Sequence, residues 1–254
     1  MSFIAIVPAR AASTRLPGKP LLDIAGRPMV VRTAERAARS NASRVIIATD
    51  HADIEAAARQ YGFEVLMTRA DHATGTDRLA EAVQILELKP DTIVVNVQGD
   101  EPLIDPEMIN TVAQMLCTHP QAAIATCASP IRESITLFNP NAVKVVCDQN
   151  GHALYFSRAP IPWARDALAD GAHRLASGLP AWHHIGLYAY RADFLRRFPT
   201  LPIGALEQFE SLEQLRALEH GYQIIVHLGA DTPVAGVDTA ADLERVRAIF
   251  GRQA

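Results

Sequence analysis

The stretch PARAASTRLPGKPL, from Pro8 to Leu21, sets three cations, Arg10, Arg15 and Lys19, in one loop directly after the apolar run FIAIV. Its prolines and Gly18 keep most of it out of regular helix or strand. The loop is not a Walker A motif, because Gly18-Lys19 is followed by Pro20 and the preceding glycine spacing is missing; nor is it GxGxxG. Backbone amides around Ala9 to Ala12 and the charges of Arg10 and Lys19 could still cradle phosphate. On composition, a phosphate cradle and a solvated basic loop stand equal.

Two carboxylates raise a matching possibility. Asp100, in NVQGDEPLI, follows the apolar run TIVVNVQ and so emerges at the carboxyl end of a buried strand, where open parallel sheets bind ligands. Gly99 beside it leaves room for a ligand to approach the backbone. Such a carboxylate suits Mg²⁺, which takes oxygen ligands, commonly one or two carboxylates with phosphate and water. Equally, Asp100 and Glu101 could do no more than open a turn before Pro102. Gln98 is placed to read a base or a sugar edge. Asp238, in GVDTAADLERV, is either a second metal carboxylate or, with Thr239, the cap of a final helix that has Asp242 in its first turn.

Further candidates lie in the second half. Arg158 ends ALYFSR, and His184 sits in WHHIGLYAYR, where a lone histidine is more often a satisfied core or surface residue than a ligand. Glu207, Glu210 and Gln214 are spaced to share one face of an expected helix, as a solvated face or as acceptors for hydroxyl groups. Earlier, TRADHATGTDRLAE puts Arg69, Thr74 and Arg78 in and just after a glycine-containing loop that could read a base. There is no GxSxG elbow, no HExxH and no patterned Cys–His pair, so covalent catalysis has no support.

These residues need a scaffold, and the chain supplies an α/β one. FIAIV, RVIIAT, EVLM and TIVVNVQ are brief, β-branched and non-alternating, as buried parallel strands are. Helical periodicity separates them in VVRTAERAARS, DIEAAARQYG and the segment from Asp77 to about Leu86, and PEMINTVAQML follows the fourth strand. Strands alternating with helices predict right-handed βαβ units and a mostly parallel sheet. After about residue 120, AAIATCA, AVKVVCD, ALYFS and HHIGLYAYR have shorter connections, which predicts a mixed sheet there. The poorly patterned loop from Ala164 to Ala181 fits a lid, an excursion or a subunit contact. A helix over Leu206–His220, the strand QIIVHL and a last helix complete the pattern.

The whole chain bounds the partners. Its 254 residues carry a net charge of −4, with no basic tail or patch for nucleic acid. Cys117, Cys127 and Cys147 are odd in number and lack CxxC spacing, as expected of thiols in a reducing compartment. MSFIAIVPAR has no basic leader and no run approaches the length of a membrane helix, so a cytoplasmic protein without a membrane partner is expected.

Taken in order, PAR-ASTRLPGKPL, ATDH, TRADH, NVQGDEP, FNPNAVKVV, ALYFSRAPIPW, HIGLYAYR, LEQLR and GVDTAADLERVR resemble the bacterial 3-deoxy-manno-octulosonate (Kdo) cytidylyltransferases, nearly end to end. Ala11 stands where that family often has an aromatic. The resemblance implies a nucleotidyltransferase fold of the glycosyltransferase-A type, one domain over residues 1–254. Residues 1–120 would be mainly nucleotide-binding, and residues 121–254 mainly sugar-acid binding and dimerising. It implies a homodimer that makes CMP-Kdo and pyrophosphate from CTP and Kdo for lipopolysaccharide synthesis. Carried over by position, Ala9, Arg10, Arg15 and Lys19 would meet the CTP phosphates, and Asp100 and Asp238 would hold Mg²⁺. Arg69, Thr74, Arg78 and Gln98 would lie toward the nucleoside. Gln98, Arg158, His184, Tyr188, Glu207 and Glu210 would surround the sugar acid. The nearest rivals are a cytidylyltransferase for sialic acid or 8-amino-Kdo, and a nucleotide sensor without turnover.

Overall fold

The computed structural model describes residues 2–11, 16–72, 74–169, 174–229 and 236–252. Arg15, expected at the phosphates, lies outside the described residues, as do four positions of the 164–181 loop.

In chain order the elements are β1 (Phe3–Ala9), the two-residue strands β2 (Asp23–Ile24) and β3 (Arg27–Pro28), α1 (Met29–Ala37), β4 (Arg44–Thr49), α2 (Ala52–Gln60), β5 (Glu64–Met67), α3 (Gly75–Ile85), β6 (Ile93–Asn96) and α4 (Pro106–Thr118). The second half continues with β7 (Ala122–Pro130), α5 (Ser134–Phe138), β8 (Lys144–Cys147), β9 (Ala153–Ser157), β10 (Trp182–Arg191), α6 (Ala192–Arg197), α7 (Ala205–Glu210), α8 (Gln214–Glu219), β11 (Gln223–Leu228) and α9 (Ala240–Gly251). The fold is mixed α/β, and most of its strand pairs are parallel.

The chain divides into two compact units. The first gathers Met1–Gln114, Ala189–Pro199 and Pro233–Ala254. Its strands run in the order β6-β1-β4-β5, all parallel. The apolar runs are buried along nearly their whole length, so every ligand-facing group must come from strand ends and loops. The helices between them start where the sequence supplies side-chain acceptors. Thr74 caps α3 through the Asp77 amide, and the Asp105 carboxylate accepts the Glu107 amide at the head of α4.

The second unit comprises Met115–Tyr188 and Thr200–Thr232. Here β11 pairs parallel with β7, while β8 pairs antiparallel with both β9 and β10. The mixed pairing agrees with the shorter connections read from the sequence. The expected helix over Leu206–His220 is instead two short helices, α7 and α8. Ser211 breaks it with φ 50° and ψ 49°, a left-handed conformation that ends a helix. Part of the 164–181 loop is anchored rather than loose: Leu175, Leu179 and Ala181 pack against Ile131, Leu137 and Phe138.

Candidate functional site

In the first unit, three residues far apart in sequence meet. Gly18, at φ 64°, turns the chain in the left-handed region where glycine is at ease, and the single 3₁₀ turn Lys19–Leu21 follows. Pro20 is buried, which holds the turn down next to Lys19. The Lys19 Nζ donates to Asp100 Oδ2 at 2.5 Å and to Asp238 Oδ1 at 3.3 Å. One cation therefore bridges two carboxylates.

Each carboxylate is delivered by backbone. β1 and β6 are adjacent and parallel, and the chain leaving β6 stays in register as the Val97 amide bonds the Ile6 carbonyl. At Gly99 it passes so close to β1 that a Cβ would lie 2.7 Å from the Pro8 carbonyl oxygen. The glycine that seemed to make room for a ligand is required by this backbone approach. Thr33 on α1 then donates to the Gly99 carbonyl at 3.1 Å, and Asp100 follows. Its carbonyl accepts the Val237 amide at 2.9 Å, which brings the segment 236–239 alongside. Val237 is fully buried with Ile24, Met29, Leu243 and Val246, an anchor worth about 2 kcal/mol. Gly236 is a second close approach, since a Cβ there would lie 2.8 Å from Glu101 Oε1.

The alternative reading of Asp238 as a helix cap is resolved. Thr239 is the N-cap of α9, in a capping box with Asp242. Hydrogen bonds from Thr239, outweighing a small cost of burial, pull the Asp242 carboxyl down to about 2. The Asp238 side chain is not used as the cap and reaches Lys19 instead.

Glu101, which the sequence left without a role, carries the largest carboxylate shift here. Burial, then the charges of Asp100 and Asp238, push it up to about 7, although Lys19 and Arg245 act in the opposite sense. A third acid is thus kept from adding its full charge beside the pair. The bridge itself is half open: the side chains of Lys19, Asp100 and Asp238 are 12%, 37% and 55% exposed, so its partners can exchange. Among the described residues no three His, Cys, Asp or Glu side chains form a ready metal cluster. The point marked by the Lys19 ammonium is nonetheless within reach of both carboxylates. An all-oxygen pair that leaves other positions for phosphate and water fits Mg²⁺.

Other residues expected near the nucleotide fall differently. Ala9 is buried at the end of β1, and Arg10 is exposed beside it. Gln98 is half-buried, and its carbonyl accepts the Glu101 amide. Arg69 is exposed and pairs with Asp71. Thr74 is occupied as the cap of α3, and it also donates to Asp77. Arg78 is buried, bonding Asp50 at 2.7 Å and Thr68. Its guanidinium belongs to an internal network that ties α3 to the ends of β4 and β5.

The second unit holds the remaining candidates. Glu207, Glu210 and Gln214 are expected on one helix face; Glu207 and Glu210 share α7, and the break at Ser211 puts Gln214 on α8. Both Glu207 oxygens accept from Arg216, at 2.6 and 2.7 Å, in a buried ion pair. Glu210 accepts from Ser157 Oγ at 2.5 Å, from the Arg158 amide at 2.8 Å and from the Tyr155 hydroxyl. Burial pushes its carboxyl up, but these donors outweigh it and hold it below the usual range. Three of the five Arg158 N–H groups go to the carbonyls of Pro140, Glu210 and Ser211. Beneath them Lys144, fully buried, donates to the Asn139 and Arg158 carbonyls, and burial lowers its pKa.

His184 is buried on β10 between the Phe156 and Tyr188 rings. Burial, then the neighbouring His183, pushes it down to about 3, so it is a neutral imidazole near pH 7. Its Nε2 lies 3.0 Å from Thr126 Oγ1. Sequence reading had passed over Thr126, Lys144 and Arg216. Their signal was a polar residue inside an apolar strand or short helix, which spacing motifs do not score.

A family model described as Cytidylyltransferase matches residues 4–224. The chain belongs to the cytidylyltransferase family. Among solved structures, this cytidylyltransferase is similar to a CMP:2-keto-3-deoxy-manno-octonic acid synthetase complexed with CTP. The identity is 41% over 100% of this chain and 99% of that one, with a TM-score of 0.90. It also shares its fold with a cytidylyltransferase from Leptospira borgpetersenii serovar Hardjo-bovis, with 17% identity, a TM-score of 0.60, and 99% and 87% of the two chains covered. The nucleotidyltransferase-like fold expected from the sequence is the fold observed. No helix among the described residues is long and apolar enough to cross a membrane.

Proposed function

We infer that this cytidylyltransferase transfers CMP from CTP to 3-deoxy-D-manno-octulosonate, forming CMP-Kdo and pyrophosphate, in the supply of lipopolysaccharide precursors. The observation that carries this reading is the 41% identity, end to end, with a synthetase named for the same acid and bound to CTP. The Lys19–Asp100–Asp238 constellation supplies chemistry to match.

The anomeric hydroxyl of the sugar acid attacks the α-phosphorus of CTP, and pyrophosphate leaves. Both partners are anions, so positioning and charge neutralisation carry most of the catalysis. Asp100 and Asp238 would hold Mg²⁺, which when bound supplies Lewis-acid neutralisation and a more acidic attacking hydroxyl. Lys19 then exchanges its carboxylate partners for phosphate oxygens, and exposed Arg10 meets the same polyanion. On the sugar side, Tyr188, His184 and Arg158 would contact the acid. Glu207 and Glu210 act through Arg216, Ser157 and Arg158, which they hold in place.

A homodimer is supported by the exposure of Ile203, Leu206 and Phe209, apolar groups close together in sequence. Sedimentation as a monomer at micromolar concentration would overturn that part. Use of CTP as a substrate supports a cytoplasmic location.

The test is pyrophosphate release from CTP and Mg²⁺ with Kdo, its 8-amino analogue and sialic acid in parallel. Release with Kdo in preference to the others is expected. Release with a different acid would move the assignment to that acid and keep the chemistry. CTP binding without release for any of them would make the protein a sensor.

A further inference from the structure

We propose that Thr126 is a positioning residue that locks His184 as the Nε2–H tautomer, which leaves Nδ1 as the ring's acceptor for a sugar hydroxyl. The substrate half of this statement rests on the function proposed above; the tautomer half rests on geometry alone.

Thr126 sits on β7, beside β10, and is fully buried. Its Oγ1 lies 2.8 Å from the Leu187 carbonyl oxygen, 3.1 Å from the Ile185 carbonyl oxygen and 3.0 Å from His184 Nε2. A hydroxyl has one proton to give and lone pairs with which to accept. The two carbonyls can only accept, so the hydroxyl proton must go to them. Were it turned to the imidazole, two carbonyl oxygens would face a buried oxygen with no proton between, at the cost of an unsatisfied polar contact. The Thr126 oxygen therefore accepts, and His184 Nε2 donates.

The ring has little freedom to escape this arrangement. Phe156 meets it edge-on at 5.0 Å between centroids, and Tyr188 leans against it at 5.2 Å. Among the described residues nothing bonds Nδ1, and the residue keeps a small exposed fraction. A neutral imidazole that has committed its proton to Nε2 presents a bare lone pair at Nδ1. That atom repels a carboxylate and accepts from a hydroxyl. The site thereby assigns His184 to a hydroxyl of the sugar and leaves the acid group to cations such as Arg158, two of whose N–H donors have no bond among those described above.

The experiment uses the full-length protein labelled with ¹⁵N-histidine. Two-bond ¹H–¹⁵N correlations distinguish the tautomers, and loss of one pattern in His184→Gln assigns the residue. Wild type and Thr126→Ser should show Nε2 protonated and Nδ1 bare. Thr126→Val, which keeps the shape and removes the acceptor, should lose that single-tautomer pattern. Its KM for Kdo should rise about tenfold with KM for CTP unchanged, and Thr126→Ser should restore it. Protonated Nδ1 in the wild type would overturn the proposal without any variant. A Thr126→Val protein with unchanged tautomer and KM would overturn it as well. If Kdo is not turned over while His184 is found as Nε2–H, the substrate half is overturned and the tautomer half stands.

Discussion

The charged groups of the two units are built on opposite principles. In the first, Lys19, Asp100 and Asp238 form a half-open bridge, held in place by backbone but free to exchange partners. In the second, Glu207 with Arg216, Glu210 with Ser157 and Arg158, and His184 with Thr126 are buried or half-buried and held in place by hydrogen bonds. Under the proposed function, the difference suits what each unit would bind. A triphosphate and a divalent cation bring large charge, and a site for them needs counter-charges that can move onto them. A sugar acid differs from its analogues by single groups, and discrimination there needs donors and acceptors that cannot adapt.

That contrast can be broken by substitutions that separate activity from stability. Asp100→Asn should lower Mg²⁺-dependent kcat/KM by about 10³-fold, roughly 4 kcal/mol, while urea unfolding shifts by less than about 1 kcal/mol. A loss below tenfold would remove Asp100 from the metal pair. Arg216→Met should do the reverse: it strands the Glu207 carboxylate in the interior and should cost about 3–5 kcal/mol in urea unfolding. Adding Glu207→Gln should recover much of that loss, and a stable single variant would mean the pair is wetter than its burial indicates.

The smallest effect concerns His184 and the direction of acid sensitivity. Its folded-state pKa, about 3, lies below the ordinary 6.5, so the unfolded chain binds the proton first as pH falls. The stability linked to the neutral ring is fully present above pH 6.5 and is lost as pH drops toward 3. Between pH 6.5 and 5 the loss should be about 2 kcal/mol, near 1.4 kcal/mol per pH unit. Urea unfolding of His184→Gln over the same range should lack that part of the slope. Equal slopes in the two proteins would show that the ring takes up its proton at no cost.

Much of the first unit was legible from residue order alone. Buried β-branched runs such as FIAIV and TIVVNVQ, alternating with helical segments, fit a parallel sheet, so the exits of their strands were predictable sites. Asp238 was ambiguous because a capping aspartate and a ligating one look alike in DTAAD; only the Thr239–Asp242 box separates them. The helix over Leu206–His220 misled for a related reason. Nothing in LEQFESLEQLR is a breaker, and the left-handed turn at Ser211 is set by the buried pairing of Glu207 with Arg216 and the bonds of Arg158 to Glu210 and Ser211.

The sequence by itself determined which side chains could carry the chemistry: a loop of cations, two acids after apolar segments, and the family to which their order belongs. It determined the alternation of strand and helix as well, because both are written in local periodicity. Tertiary structure decided which of those side chains are available. Whether an acid meets a lysine at an open edge or an arginine in the interior depends on contacts between residues far apart in the chain, such as Val237 on Asp100 and Thr126 on His184. Those contacts set burial, and burial decides whether a polar group is spent on the fold or kept for a substrate.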